Sequence, residues 1–164
     1  MTIVYFVRHA QPDHTWTDDD STRPLTIEGQ QDSKIVYEFF KEKNIDVFYC
    51  SPYKRSVETI KESAAFHKKE IILDARLRER KKGTDGNNYG MFQKRWLDKD
   101  FHEDGGESIN MVQKRNISAL EEIISNNEGK GCRGIPISLN DSVLSLRNDI
   151  ITWFDKEVSC LQKK

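Results

Sequence analysis

Cysteine is scarce in this sequence, and its placement excludes two classes of small protein. Cys50, Cys132 and Cys160 are an odd number at wide spacings, and no two of them form a Cys-x-x-Cys pair. This pattern argues against a disulfide framework and against a zinc site. A chain of 164 residues is also long enough to fold without disulfides or a structural metal ion. We therefore expect one domain, residues 1–164, in the reducing environment of the cytoplasm.

An excess of one charge is also missing, because 26 basic residues nearly balance 27 acidic ones and leave a net charge of -1. The net charge of the chain would therefore not attract nucleic acid or an anionic membrane. No stretch approaches about 18 consecutive apolar residues, and the N-terminus lacks a signal-peptide pattern. We expect a soluble, unexported protein that binds neither nucleic acid nor a membrane. The sequence does not indicate an oligomeric state.

An apolar run near the N-terminus ends abruptly in two polar residues. Ile3 to Val7 is continuous, apolar and β-rich, which predicts a strand buried on both faces of a parallel sheet. Arg8 and His9 follow it directly. A cation and an imidazole at the carboxyl end of such a strand lie where open α/β sheets bind their ligands. The pair favours anion chemistry, and the alternative is a strand that merely ends in polar residues.

Helices and strands are predicted to alternate along the chain, which indicates an α/β fold with a doubly wound, mostly parallel sheet flanked by helices. The segments between them are expected to line a site and to decide the substrate. The predicted strands are Asp46–Cys50 and Glu70–Leu73, the helices Thr26–Lys43, Tyr53–Phe66 and Ser108–Asn126, the loops Gln11–Arg23 and Gly83–Gly90, and a partly helical insertion Met91–Gly106.

A second arginine follows a strand tip. Arg55 lies in the first turn of the helix predicted after Cys50-Ser51-Pro52. A helix N-terminus offers free N–H groups and the positive end of a dipole, so the guanidinium would add a fork-shaped cation to an anion site. Phosphate is the natural ligand of such a site. Taken alone, Arg55 would more often be an ordinary solvated helix arginine.

Four motifs together resemble the histidine phosphatase, or phosphoglycerate mutase-like, superfamily. They are Arg8-His9-Ala10, Ser51-Pro52-x-x-Arg55-x-x-x-Thr59, Leu77-Arg78-Glu79-Arg80, and Gly106-Glu107-Ser108 at the start of a long helix. The match covers about residues 1–130. The resemblance implies a phosphoglycerate mutase-like fold and phosphoryl-transfer chemistry on a small phosphorylated substrate, without a metal or another cofactor.

The resemblance also implies a role for each residue. His9 would be the nucleophile that forms a phosphohistidine, Arg8 and Arg55 would bind the phosphoryl oxygens, and Glu79 would be the general acid. An alternative for Glu79 is that it only balances the charge of its basic neighbours. Those neighbours are Arg76, Arg78, Arg80, Lys81 and Lys82, and the remaining histidines, His14, His67 and His102, are expected to be exposed rather than catalytic.

A cysteine-dependent phosphatase is the rival chemistry, and residue spacing argues against it. Protein tyrosine phosphatases use a cysteine and an arginine at the two ends of a phosphate-binding loop. Here Cys50 and Arg55 are separated by four residues, one fewer than that loop requires. Pro52 lies between them and cannot donate an N–H group to phosphate. Cys50 is therefore predicted to be a small apolar residue that ends a buried strand.

The C-terminal part departs from the pattern of the family. The resemblance calls for another buried strand that ends in a second histidine followed by glycine, but no histidine follows His102. Gly131, Gly134 and Pro136 are poor residues for a central strand, so Ile135–Leu139 is predicted to be a short edge-like strand. Residues 143–154 have helical spacing. Divergence to a shorter variant and a frameshift near codon 130 both remain open for residues 131–164.

The sequence therefore predicts a metal-independent phosphomonoester hydrolase that acts through a phosphohistidine on His9, with activity impaired by the missing histidine. A non-catalytic phospholigand-binding protein and a phosphoglycerate-type mutase are the alternatives. Hydrolysis is favoured over mutase action because the chain has little material for a lid that excludes water. Trp16 and Trp96 fit either contact with an organic leaving group or packing of a lid.

Overall fold

Parallel strands form the centre of the computed structural model, which describes residues 3–84, 89–128 and 134–139. The described residues make a four-stranded sheet in the order β1-β4-β2-β3, and every pair of neighbouring strands is parallel. The strands are β1 (Val4–Arg8), β2 (Phe48–Cys50), β3 (Ile71–Leu73) and β4 (Ile135–Leu139). The mostly parallel α/β sheet predicted from the sequence is confirmed.

The described part of the chain contains four α-helices that connect or follow these strands, at α1 (Ile27–Lys41), α2 (Lys54–Phe66), α3 (Tyr89–Leu97) and α4 (Ile109–Asn127). The predicted cap of the first helix is confirmed, because the Thr26 hydroxyl accepts a hydrogen bond of 3.0 Å from the Gly29 amide. Ser108 caps α4 in the same way through the Met111 amide at 3.1 Å. Each of these bonds satisfies one of the amide groups that a helix start leaves without a backbone partner.

Side chains that alternate along β1 separate the core into two layers, as a doubly wound sheet requires. Val4 and Phe6 pack with α4 and the central strand, in a cluster built on Leu120, Ile123 and Ile137. Tyr5 and Val7 face the opposite side, where the buried residues come from α1 and α2 and the ends of β2. Successive side chains of a strand point to opposite faces, so a run that is apolar throughout is the pattern of a strand covered by helices on both sides.

The prediction of an edge-like strand at Ile135–Leu139 is wrong, because β4 lies between β1 and β2. Pro136 is tolerated there for a reason of register. The carbonyls of Gly134 and Ser138 accept hydrogen bonds of 3.1 Å from the Asp46 and Ser51 amides. Residues two positions apart in a strand face the same neighbour, so the backbone nitrogen of Pro136 also faces β2. The ladder with β2 begins only at the next residue, where Ile137 pairs with Tyr49. The missing N–H therefore falls at the start of the ladder and costs one hydrogen bond.

One further difference concerns the start of a helix, whereas the predicted insertion has the expected partly helical character. Pro52 precedes α2 instead of opening it, because Tyr53 is the N-cap residue and the helix starts at Lys54. The predicted insertion is partly helical, with α3 followed by a loop in which buried Glu103 binds the guanidinium of Arg95. This hydrogen bond is the main reason that the pKa of Glu103 is lowered. The helix predicted over residues 143–154 lies outside the described residues.

None of the described helices combines the length and the apolar character that a membrane span needs.

Candidate active site

The residues predicted to bind phosphate lie at the carboxyl edge of the sheet. Arg8 is the exposed last residue of β1, and His9 follows it with only 7% of its surface exposed. Arg55 lies in the first turn of α2, which begins four residues after the end of β2. Parallel strands all end at the same edge of a sheet, so the topology brings these three side chains to one side of the molecule.

The imidazole of His9 is held in a defined orientation. Its Nδ1 atom lies 2.8 Å from the carbonyl oxygen of Ala10. A carbonyl only accepts hydrogen bonds, so we assign the ring proton to Nδ1. A neutral His9 then carries its lone pair on Nε2. This is the protonation state in which a histidine nitrogen can act as a nucleophile.

A buried threonine joins the segment of His9 to the first turns of α2. The Thr59 hydroxyl accepts a hydrogen bond of 2.9 Å from the Ala10 amide and donates one of 2.7 Å to the Arg55 carbonyl. Thr59 is 1% exposed, and an unsatisfied polar group at such depth would be costly. The two bonds therefore fix the chain after His9 relative to the helix that carries Arg55.

Arg55 is not the solvated helix residue that the sequence alone allowed, because it is only 3% exposed. Its Nη1 donates to the carbonyl oxygen of Asp20 at 2.7 Å, and its Nη2 donates to the carboxylate Oδ2 of the same residue at 3.1 Å. The guanidinium also stacks on Tyr53, with Cζ 4.8 Å from the ring centre. A guanidinium buried in this way is a preorganised cation whose position does not depend on solvent.

Glu79 belongs to the same electrostatic environment as Arg55. Burial is the main cause of the raised pKa of Tyr53, the negative charges of Asp20 and Glu79 raise it further, and the charges of Arg55 and Arg78 lower it. Glu79 is half-buried, and its Oε1 accepts from the Arg80 amide at 3.0 Å. Glu79 and Arg55 therefore both lie close enough to Tyr53 for their charges to act on its hydroxyl group.

Two of the basic neighbours of Glu79 pair with other carboxylates. Arg76 binds Asp74 at 2.7 Å and Glu122 at 2.8 Å. Arg78 binds Glu107 at 2.8 Å. The charges of these two arginines are therefore neutralised without Glu79, which weakens the alternative that Glu79 serves only to balance its neighbours.

The backbone that carries Glu79 is held by Arg115 of α4, a residue that sequence reasoning missed. Its guanidinium donates to the carbonyl oxygens of three residues and to both carboxylate oxygens of Glu107. The three carbonyls belong to Arg76, Arg78 and Glu79. One side chain therefore fixes the connection between β3 and the predicted acid. Helical spacing could not reveal this role, because the acceptors are backbone atoms about 40 residues away in sequence.

The tip of β4 lacks the histidine that the resemblance calls for. The register of the sheet pairs Leu139, the last residue of β4, with Arg8. His14 and His102 are exposed as predicted, but His67 is half-buried at the end of α2, with Nε2 3.0 Å from the carbonyl oxygen of Phe40. These three histidines all lie outside β4.

Cys50 has the structural role that the sequence predicted. Its surface is completely buried in the cluster between the sheet and helices α1 and α2. Burial raises the pKa of the thiol to about 12, although a hydrogen bond with Ser138 acts in the opposite direction. A thiol with this pKa is protonated near neutral pH and is a poor nucleophile. The geometry therefore agrees with excluding a cysteine-dependent mechanism.

Comparison with known families gives one match. The family model of the histidine phosphatase superfamily (branch 1) matches residues 4–135, which include all four predicted site residues. No curated protein matches the chain.

Solved structures with the same fold include a mycobacterial glucosyl-3-phosphoglycerate phosphatase, with 17% identity, a TM-score of 0.72, and coverage of 85% of this chain and 74% of that one. YhfR of Bacillus stearothermophilus has 22% identity and a TM-score of 0.71, covering 86% and 75% of the two chains. The alpha-ribazole phosphatase of Shigella flexneri has 17% identity and a TM-score of 0.70, covering 87% and 76%. The TM-scores establish a shared fold, and at identities below 25% the likeness concerns the fold alone.

Proposed function

Because the chain belongs to the histidine phosphatase superfamily, we propose that it hydrolyses phosphomonoesters through a phosphohistidine formed on His9. The main observation in support of the proposal is the burial of the His9 side chain and the orientation of its ring. His9 is buried at the end of β1, and the contact of Nδ1 with the Ala10 carbonyl leaves the lone pair on Nε2. A nucleophile needs such a lone pair at a fixed position relative to the phosphoryl group.

In the first step Nε2 attacks phosphorus in line with the ester oxygen that leaves. Arg8 and Arg55 bind the equatorial oxygens, on which negative charge accumulates in the transition state. The carboxyl group of Glu79 donates its proton to the leaving oxygen. In the second step the ionised Glu79 accepts a proton from water, which attacks the phosphohistidine and releases inorganic phosphate. The cycle needs neither a metal nor another cofactor.

The phosphate position is supported by the start of α2 as well as by Arg55. Tyr53 caps this helix without a side-chain hydrogen bond, and the amide groups of a first helical turn attract anions. Among the structural neighbours, the mycobacterial phosphatase is known in a complex with inorganic phosphate and in a complex with VO3. Inorganic phosphate is therefore a suitable first probe for this chain.

Turnover is expected to be slow, because β4 ends in Leu139 beside Arg8 and no histidine follows His102. The loss of one ligand to the phosphoryl group removes about 3 kcal/mol of transition-state stabilisation, or about a hundredfold in rate. The same observation favours a second candidate, a protein that binds phosphorylated ligands without hydrolysing them. Mutase action is a third, and it would require the phosphohistidine to be protected from water.

The test is hydrolysis of p-nitrophenyl phosphate by the purified chain in the presence of EDTA. His9→Ala is the key variant, and His14→Ala is its matched control, since His14 is an exposed histidine in the adjoining segment. We expect the parent and His14→Ala to hydrolyse the ester and His9→Ala to be inactive. After a brief reaction, mass spectrometry at alkaline pH should find a phosphoryl group on the peptide that contains His9.

Two outcomes would decide against the proposal. Equal turnover by the parent and by His9→Ala would exclude this nucleophile. An inactive parent whose melting temperature still rises with phosphate would support the binding protein.

A further inference from the structure

The acidic segment that follows the first strand lies against the predicted phosphate site. Asp20 opens a short 3₁₀ turn, Asp20–Thr22, between β1 and α1. Its carboxylate bridges two guanidinium groups, with Oδ2 3.1 Å from Nη2 of Arg55 and Oδ1 2.9 Å from Nη2 of Arg23. The carboxylate of Asp20 thus already binds the guanidinium of Arg55, on which the proposed function depends.

Asp20 engages both terminal nitrogens of Arg55. Nη2 donates to the carboxylate and Nη1 to the backbone carbonyl. Within the described part of the chain, the buried Nε of Arg55 has no hydrogen-bond partner. A guanidinium fork binds two oxygens of a phosphate in the same way as it binds two oxygens of a carboxylate. Phosphate and Asp20 therefore compete for the same donors.

The two partners differ in their freedom to move. The side chain of Arg55 is 4% exposed, whereas that of Asp20 is 36% exposed and belongs to a surface turn. Arg55 is also held by its stacking on Tyr53. The cation is consequently fixed, and the anion can be exchanged.

Arg23 can keep the Asp20 carboxylate paired after it leaves Arg55. It lies three residues after Asp20 and contacts the oxygen that does not face Arg55. If the turn moves outwards, this contact can move with it, because both residues belong to the same local segment. Asp20 would therefore leave Arg55 without losing every ionic partner, which lowers the cost of the exchange.

We propose that Asp20 is an internal competitor of the substrate, which occupies Arg55 in the empty protein and is replaced by the phosphoryl group when a ligand binds. This inference rests on the proposed function, in which Arg55 is a phosphate ligand. Asp20 then sets the affinity of the site, because every phosphorylated ligand has to displace it. The loop between β1 and α1 thereby contributes to substrate selection through its charge as well as through its shape.

Isothermal titration calorimetry with inorganic phosphate tests the inference. Asp20→Asn removes the competing charge and keeps a side chain of the same size. Asp18→Asn is the matched control, because it removes the same charge from an exposed residue two positions away, whose carboxylate accepts from the Asp19 amide at 2.8 Å. We expect Asp20→Asn to bind phosphate about fivefold more tightly than the parent, and Asp18→Asn to change the affinity by less than about twofold.

Arg55→Gln separates the failure of this inference from the failure of the proposed function. If Arg55→Gln abolishes phosphate binding while Asp20→Asn binds no more tightly than the parent, Asp20 is not a competitor and the phosphate site stands. If neither the parent nor Asp20→Asn binds phosphate, both ideas are wrong. Melting temperatures show whether each variant is folded, and Asp20→Ser is the second variant if Asp20→Asn is not, with the same tighter binding expected.

Discussion

Replacing Arg115 by Met would remove the side chain that holds the backbone of Glu79. The methionine keeps much of the apolar stem of the arginine and deletes its donors. Three backbone carbonyls would lose a guanidinium partner, and Glu107 would lose one of its two arginines, since Arg78 remains 2.8 Å away. The side chains of Arg115 and Glu107 are 13% and 14% exposed, so water would replace the lost bonds only in part.

The expected loss of stability follows from these contacts. A hydrogen bond contributes about 1 kcal/mol net, and more when one partner is charged. Three carbonyl contacts that are partly accessible to water, together with the weakened Glu107 pair, give a loss of about 3 kcal/mol in the free energy of unfolding. For a chain of 164 residues this corresponds to a fall in melting temperature of about 6–12 °C.

Activity should fall beyond the change in stability, because Glu79 would no longer be held. Misplacement of a catalytic group by about 1 Å can cost up to about a hundredfold in rate. The loss in kcat should be larger with phenyl phosphate than with p-nitrophenyl phosphate, since phenolate is the poorer leaving group and depends more on a general acid. Both esters should be assayed at a temperature where the variant is fully folded.

Lys114→Met is the matched control, because Lys114 is the exposed neighbour of Arg115 on α4. The change in its unfolding free energy should be within about 0.5 kcal/mol, and its activity should equal that of the parent. A melting temperature of Arg115→Met equal to that of Lys114→Met would refute the structural reasoning. Equal losses of kcat on the two esters would refute the positioning of Glu79 while leaving the structural role intact.

Two further predictions concern a buried cysteine and a half-buried glutamate outside the proposed chemistry. Cys50→Ala should cost about 1 kcal/mol through a small cavity and retain hydrolysis of p-nitrophenyl phosphate, so an inactive but folded variant would contradict the assignment. Burial by itself raises the pKa of Glu107, but hydrogen bonds from Arg115 and the Lys81 amide, with the nearby positive charges, lower it overall below its usual value. The ionised carboxylate thus stabilises the fold above its unfolded pKa, and this contribution is lost as the pH falls through the folded pKa. Urea unfolding at about pH 7 and about pH 3 should show a smaller loss of stability in Glu107→Gln than in the parent, and equal losses would count against the arginine contacts.

Local signals in the sequence were sufficient to predict most elements of the fold. The apolar run before Arg8 predicted a strand covered on both faces, and the two core layers on β1 confirm this. Thr26 and the helical spacing after it predicted α1 and its cap. Such features depend on residues a few positions apart, and their physical causes, helix capping and side-chain periodicity, act over the same short range.

The same local logic failed at β4. Gly134 and Pro136 indicated a weak edge-like strand, but the register of the sheet places the missing N–H at the start of the ladder with β2. Propensity describes the average cost of a residue in a strand. The actual cost depends on where the neighbouring strand starts, which the local sequence does not contain.

In the candidate site, too, some features follow from the local sequence and others from tertiary packing. The residues themselves predict that Arg8 and His9 lie at the end of one apolar strand and that Arg55 lies in the first turn of the helix after another, because position relative to a strand end is a local property. The contacts of these groups depend on tertiary packing. Asp20 and Arg55 are 35 residues apart in sequence, and Arg115 binds the Glu79 carbonyl across 36 residues. Such pairs form because packing of the helices on the sheet brings distant charges together where water is largely excluded, and no spacing rule along the chain encodes that arrangement.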